Sequence, residues 1–169
     1  MINALFAVDQ NGGMGFNGGL PWPHNSEDLE NFKRLTQNHI VVMGRRTYDD
    51  PKMPKPLKDR ITYVVTNRSI ANGVLTVKGD IKERVLEIER LNPDKIIWVV
   101  GGPGVIEACE DILDHVYLTH FKGSFKIDTR IDLRKVLLNF TPVRAEVSFD
   151  QLSTHIKYAP IFRRSKAST

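Results

Sequence analysis

The chain has 169 residues, 41% hydrophobic and 26% charged, with a formal net charge of +4. That is the size and composition of one globular domain. No apolar run nears the roughly 18 residues that span a bilayer, and a single cysteine, Cys109, excludes an internal disulfide.

In chain order, INALFAV (2–8) is a continuous apolar run, the pattern of a strand buried on both faces. A Gly-rich loop, DQNGGMGFNGGLPWPHN (9–25), follows, and its length points to function or mobility. Ser26 is the expected cap of a helix over 26–37, and HIVVMG (39–44) is a short strand. RRTYDD (45–50) reads as a short helix, PKMPKPLKD (51–59) as a Pro-rich crossing, and RITYVVTN (60–67) and GVLTV (73–77) as strands. Asp80 caps an amphipathic helix over 80–91, and KIIWVVGG (95–102) is a second buried strand running into a helix near 103–110. HVYLTHF (115–121), TPVRAEVSF (141–149) and THIKYAPIF (154–162) complete the strands. The expected fold is α/β: one domain with a central mixed eight-stranded sheet, mostly parallel with an antiparallel C-terminal strand, and helices on both faces. The domain covers 1–162, and 163–169 is a basic polar tail expected to be disordered. The N-terminus lacks the pattern of a signal peptide, which together with one cysteine suits the cytoplasm. Cys109 reads as core filler.

The charge is not arranged for a polynucleotide. Much of the excess sits in FRRSKAST (162–169), and other basic residues stand singly or in pairs. The five histidines show no metal-ligand spacing, so no metal is expected.

Helical periodicity singles out one acid. At about 100° per residue, Leu35, Asp28, Phe32, Thr36 and Leu29 share a sector of about 120°, while Glu27, Glu30, Lys33 and Arg34 face away. A carboxylate within an apolar stripe is costly to bury, although acids are also common in a first turn for their effect on the helix dipole. Three strand ends attract attention because such sheets bind ligands there. VVGGPG (99–104) is either a phosphate cradle or a plain tight turn. MGRRT (43–47) offers Arg45 and Arg46, and TNRS (66–69) offers Arg68. Together they describe a dinucleotide with an extra phosphate, NADPH rather than NADH.

These segments, AVD (7–9), GFNGGLPW (15–22), DLENFK (28–33), VVMGRRTY (41–48), VVGGPGVI (99–106), YLTH (117–120) and DT (128–129), resemble in order the motifs of the dihydrofolate reductase family. The resemblance runs from about residue 2 to 162. It implies hydride transfer from NADPH to C6 of dihydrofolate. By resemblance, Asp28 accepts hydrogen bonds from the pterin 2-amino group and N3, and Thr119 hydrogen-bonds Asp28. Trp22 holds a water near the pterin, and Leu20 closes a glycine-hinged lid over the nicotinamide. Ala4, Leu5, Leu29, Phe32 and Leu57 line the substrate groove, and Arg60 pairs with the glutamate tail.

For the cofactor, the resemblance implies Ala7, Gly15, Leu20, Gly44, Arg45, Arg46 and Thr47 along the phosphates and lid. Thr66, Asn67, Arg68 and Lys78 surround the adenosine 2′-phosphate. Gly101 and Gly102, joined by a cis peptide in the family, and Gly104, Val105 and Ile106 form the remaining wall. Ile106 stands where many relatives carry an aromatic beside the nicotinamide. The partner is a small molecule, with no nucleic acid and no membrane, and the expected state is a monomer. Pterin or pyrimidine reductases of the same fold generally lack D-L-x-x-F-K, and a non-catalytic nucleic-acid binder leaves Asp28, Trp22 and Thr119 without a role.

Overall fold

The computed structural model describes residues 1–53, 57–70 and 73–164. The centre of the Pro-rich crossing and residues 165–169 of the expected tail lie outside them.

Among the described residues, ten strands form: β1 (Ile2–Val8), β2 (Gly13–Gly15), β3 (Ile40–Gly44), β4 (Ile61–Val65), β5 (Leu75–Val77), β6 (Ile97–Gly101), β7 (His115–Phe121), β8 (Thr129–Arg130), β9 (Phe140–Val147) and β10 (Ser153–Pro160). The helices are α1 (Ser26–Thr36), α2 (Arg45–Asp49), α3 (Ile81–Leu91), α4 (Pro103–Ala108) and α5 (Leu133–Val136). Eight strands make the central sheet in the order β5-β4-β3-β6-β1-β7-β10-β9. β10 alone is antiparallel to its neighbours β7 and β9, so the expected mixed sheet with one antiparallel C-terminal strand is the one observed.

The centre is built from the two most apolar runs. β1 lies parallel between β6 and β7, and Ile2, Ala4, Val8, Ile97 and Val99 are fully buried. β-branched side chains covered on both faces suit such central positions. α3 closes one side with Val85 and Ile88. A second cluster, Val41, Met43, Tyr48, Leu57, Val64 and Val74, takes in the half-buried Phe32 of α1. Cys109 is fully buried, and burial pushes its thiol up to about 12, so it is packing and not a nucleophile.

Two expectations are corrected, and one segment gains a partner. The cap of α1 is Asn25, not Ser26: the Asn25 side chain accepts the Asp28 N–H at 2.9 Å. Both residue types cap helices, and the one that reaches the third backbone N–H sets the boundary. Within the long loop, the Gly13–Gly15 segment pairs with β8 in a separate two-stranded sheet. Arg164, assigned to the tail, is only 12% exposed, and its guanidinium holds Glu89 at 2.6 Å and Asp114 at 2.9 Å. The Met1 ammonium joins Glu89 at 3.0 Å, and Ile2 N–H donates to Asp114 at 2.8 Å, so this basic residue ties the chain end to β1 and α3.

Candidate active site

Asp28 sits in the first turn of α1 and is half-buried. Desolvation pushes its carboxyl above the ordinary range, opposed by a hydrogen bond from Thr119 and by the charge of His155. Thr119 is buried in β7. It pairs in register with Ala7 of β1 on one side and His155 of β10 on the other. Its Oγ1 lies 2.9 Å from His155 Nδ1. Asp28 thus lies on the inward face of α1, toward the Thr119 hydroxyl of the sheet. His155 was absent from the expected set.

Trp22 is buried and stacks on Phe121 at 4.3 Å, with Phe125 edge-on at 6.2 Å. Its Nε1–H has no hydrogen-bond partner within the described residues. A buried indole N–H normally finds one, so this donor fits a role toward a ligand or its water. Leu20 and Leu29 are 52% and 45% exposed, while Phe32 is half-buried and Leu57 buried in the second cluster. Ala4 and Leu5 lie within β1 with their side chains covered. Arg60 donates to the Lys58 carbonyl at 2.9 Å and to Thr36 Oγ1 at 3.2 Å, which fixes it at the end of α1.

The segment before α1 is held by two aspartates. Asp9, 1% exposed, accepts N–H bonds from Asn11 and Gly13 at 2.8 Å each and from Phe125 at 3.2 Å. Asp128 accepts Asn17 N–H at 2.9 Å and the Thr129 hydroxyl at 3.0 Å, and these donors hold its carboxyl below the usual range. Phe16 and Gly19 exchange backbone hydrogen bonds at 3.0 Å around Asn17 and Gly18, both at positive φ. Gly15 is thereby packed against Thr129, and Leu20 leaves this turn toward solvent.

On the other side of β1, two helix starts meet. α2 begins after Gly44 and α4 after Gly102, and neither has a side-chain cap. A Cβ on Gly44 would lie 3.5 Å from both Gly101 O and Gly102 N, so the two turns are in contact. Gly101 and Gly102 are joined by a cis peptide, as the resemblance implied. Gly101 has φ +135°, and the space beside it is bounded by Met14 and Thr47. Around Gly102 and Gly104 a Cβ would meet nothing within 4 Å. Open backbone at two adjoining helix starts leaves N–H groups available to phosphate oxygens.

The arginines differ. Arg45 is engaged by Asp49, with both carboxylate oxygens 3.0 Å from Nε. Arg46 and Arg68 are exposed. The register Val65↔Val77 places Lys78 beside Thr66, so Thr66, Asn67, Arg68 and Lys78 lie together past the carboxyl ends of β4 and β5. Val105 is buried, and Ile106, expected to face the nicotinamide, is 0% exposed within the main core cluster, because an aliphatic side chain at that turn of α4 packs inward. Among the described residues, no group of three or more His, Cys, Asp or Glu is placed to hold a metal, and no helix is long and apolar enough to cross a membrane.

A family model for dihydrofolate reductase matches residues 1–148. The viral dihydrofolate reductase of Saimiriine herpesvirus 2 is 31% identical over 162 residues, covering 85% of this chain and 76% of that protein. The dihydrofolate reductase of Bos taurus is 31% identical over 155 residues, covering 81% and 83%. The solved dihydrofolate reductase of Enterococcus faecalis, complexed with NADP(H) and RAB-propyl, superimposes with a TM-score of 0.78 at 27% identity over 95% of this chain and 96% of that one.

Proposed function

The chain belongs to the dihydrofolate reductase family, and from that premise we propose how its residues divide the work. The enzyme reduces 7,8-dihydrofolate to 5,6,7,8-tetrahydrofolate with NADPH. NADPH supplies the hydride that arrives at C6, and solvent supplies the proton that arrives at N5.

Asp28 is the recognition group. An ionised carboxylate is an acceptor only, and the 2-amino group and N3 of the pterin present two adjacent donors to it. Its half-buried setting strengthens those charge-assisted bonds, and the Thr119 hydroxyl keeps it oriented. Leu29, Phe32 and Leu57 form the apolar wall against the flat ring and the benzoyl group. Ala4 and Leu5 pass beneath it, and Arg60 takes the carboxylate of the glutamate tail. Trp22 directs its unpartnered N–H toward a water that stands near the pterin, and Leu20 excludes bulk solvent from the reacting face.

The cofactor is held by backbone and exposed charge. The starts of α2 and α4, with Gly44, Arg45, Arg46, Thr47, Gly101, Gly102 and Gly104, receive the phosphates. Thr66, Asn67, Arg68 and Lys78 receive the 2′-phosphate, while Ala7, Gly15 and Leu20 border the nicotinamide and Val105 and Ile106 back the wall from the core. The protein works as a cytoplasmic monomer without a nucleic-acid partner.

The observation that carries this assignment is the half-buried Asp28 carboxyl in the first turn of α1, hydrogen-bonded by Thr119. The test is loss of NADPH absorbance with purified protein. It is expected only when dihydrofolate is present, and to be much weaker with NADH. No dihydrofolate-dependent oxidation would sink the reading.

A further inference from the structure

The start of α1 is joined to the turn between β9 and β10 by three hydrogen bonds that the roles above do not use. Asn25 Nδ2 donates to Asp150 Oδ2 at 2.9 Å, and the Glu27 carboxylate accepts Phe149 N–H at 2.6 Å and Asp150 N–H at 3.4 Å. The other arm of the same amide, Asn25 Oδ1, accepts the Asp28 N–H at 2.9 Å. We propose that Asp150 is a positioning residue for Asp28: it sets which way the Asn25 amide faces, and that amide fixes the backbone from which the Asp28 carboxyl reaches the pterin. This rests on the role given to Asp28 above.

An asparagine amide accepts at its oxygen and donates from its nitrogen. Turned by 180°, Nδ2 would face the Asp28 N–H and Oδ1 would face the Asp150 carboxylate. Donor would meet donor and acceptor would meet acceptor, so both contacts would fail together. Asp150 therefore holds the one orientation in which Asn25 caps the helix. Among the usual cap residues, Asn alone accepts at one atom and donates from another, whereas Asp only accepts and Ser and Thr work through a single oxygen. The N–H that this cap satisfies is that of Asp28 itself, so the cap acts on the residue that meets the ligand.

Asp150 is itself held by its own turn. Its Oδ1 accepts the Leu152 N–H at 2.9 Å and the Ser148 hydroxyl. Ser148 is buried, and its Oγ accepts the Ser153 N–H at 3.0 Å while its own N–H donates to Ser153 O at 2.8 Å. Oδ2 is left for Asn25. Glu27 binds the turn through backbone N–H groups, so a change of the Asp150 side chain alters the amide and leaves the approach of the two turns in place. Asp150 is exposed and Asn25 half-buried, so the expected effect is a few-fold.

The test exchanges donor and acceptor. Asp150→Asn keeps an oxygen for Ser148 and Leu152 but turns an N–H toward Asn25, so the Asn25 amide no longer serves both sides. Asn25→Asp sets a carboxylate against Asp150. Each change alone is expected to raise the KM for dihydrofolate about fivefold, with kcat and the KM for NADPH within about 1.5-fold of the wild type. Together they restore one donor and one acceptor with the roles reversed, and the KM is expected to return to within about 1.5-fold of the wild type. Single variants with a wild-type KM overturn the proposal. So does a double variant that regains the melting temperature but not the KM, which is the outcome of a purely structural contact. Asn25→Ser caps through a hydroxyl and has no amide to orient. In that background Asp150→Asn should leave the KM unchanged, and a rise there overturns the proposal because Asp150 would act by another route. If Asn25→Asp fails to fold, this serine pair decides. By ¹⁵N NMR of the ligand-free protein, the Asp28 amide proton is expected to move upfield in Asp150→Asn as its acceptor turns away. Absence of dihydrofolate turnover in the wild type defeats the functional assignment, whereas normal turnover with an unmoved Asp28 amide defeats this inference alone.

Discussion

On the side of the cleft formed by α1, β7 and β10, the functional groups already hold one another. Asp28 is met by Thr119, Thr119 by His155, and Trp22 by the ring of Phe121. At the ends of β3, β4 and β6 the opposite holds: Arg46, Asn67, Arg68 and Lys78 are exposed, and the glycines of the α4 turn border open space. The first side recognises by preorganisation, with a desolvated carboxyl positioned before any ligand arrives. The second recognises by backbone shape and by side chains that become ordered on the phosphates. Substitutions should therefore be costly and specific on the pterin side, and graded on the cofactor side.

The largest effect tests the first half of that contrast. Asp28→Asn replaces one acceptor oxygen with a donor, and kcat/KM for dihydrofolate should fall about 100-fold near neutral pH. NADPH affinity, measured by fluorescence titration, should stay nearly intact. On the cofactor side, Arg68→Ala should raise the KM for NADPH about tenfold and leave NADH almost unchanged. Arg45→Ala should cost only about twofold to threefold, because Asp49 already engages that guanidinium. Equal losses for NADPH and NADH in the Arg68 variant would remove that arginine from the 2′-phosphate. Trp22→Phe keeps the stack on Phe121 but deletes the N–H, and kcat should drop about fivefold to tenfold with an unchanged melting temperature.

The smallest effect concerns stability. Burial raises the Asp28 carboxyl in the folded state, so its charge costs stability at pH values above the folded pKa. That cost fades as pH falls and is gone below the ordinary carboxylate value, where both states are protonated. Asp28→Asn should thus stabilise the ligand-free protein at pH 7, with the gain vanishing in acid. Urea melts at two pH values measure it. A mutant less stable at pH 7 would mean the carboxylate is a structural asset and not a binding device.

The features that could be read from one sequence were those set by local spacing. β1 and β6 announced themselves as unbroken apolar runs, and Asp28 was visible because helical periodicity placed an acid among Leu29, Phe32 and Thr36. The Asp80 cap of α3 follows the same logic. What escaped was set by long-range register. His155 meets Thr119 only because β10 pairs antiparallel with β7, 36 residues away. The anchoring of the 9–20 segment by Asp128, and its pairing with β8, join stretches more than 100 residues apart. Arg164 looked like part of a solvated basic tail because its partners, Glu89 and Asp114, lie 75 and 50 residues earlier. Asn25 and Ser26 have similar capping preference, and only the reach of the Asn25 side chain to the Asp28 N–H separates them.

Whether the Asp28 carboxylate clasps the donor edge of the pterin is decided by a crystal structure of the complex with folate and NADP⁺. Both carboxylate oxygens are expected within hydrogen-bonding distance, about 2.7–3.1 Å, of N3 and the 2-amino nitrogen. A pterin seated elsewhere, with Asp28 turned to solvent, would contradict it.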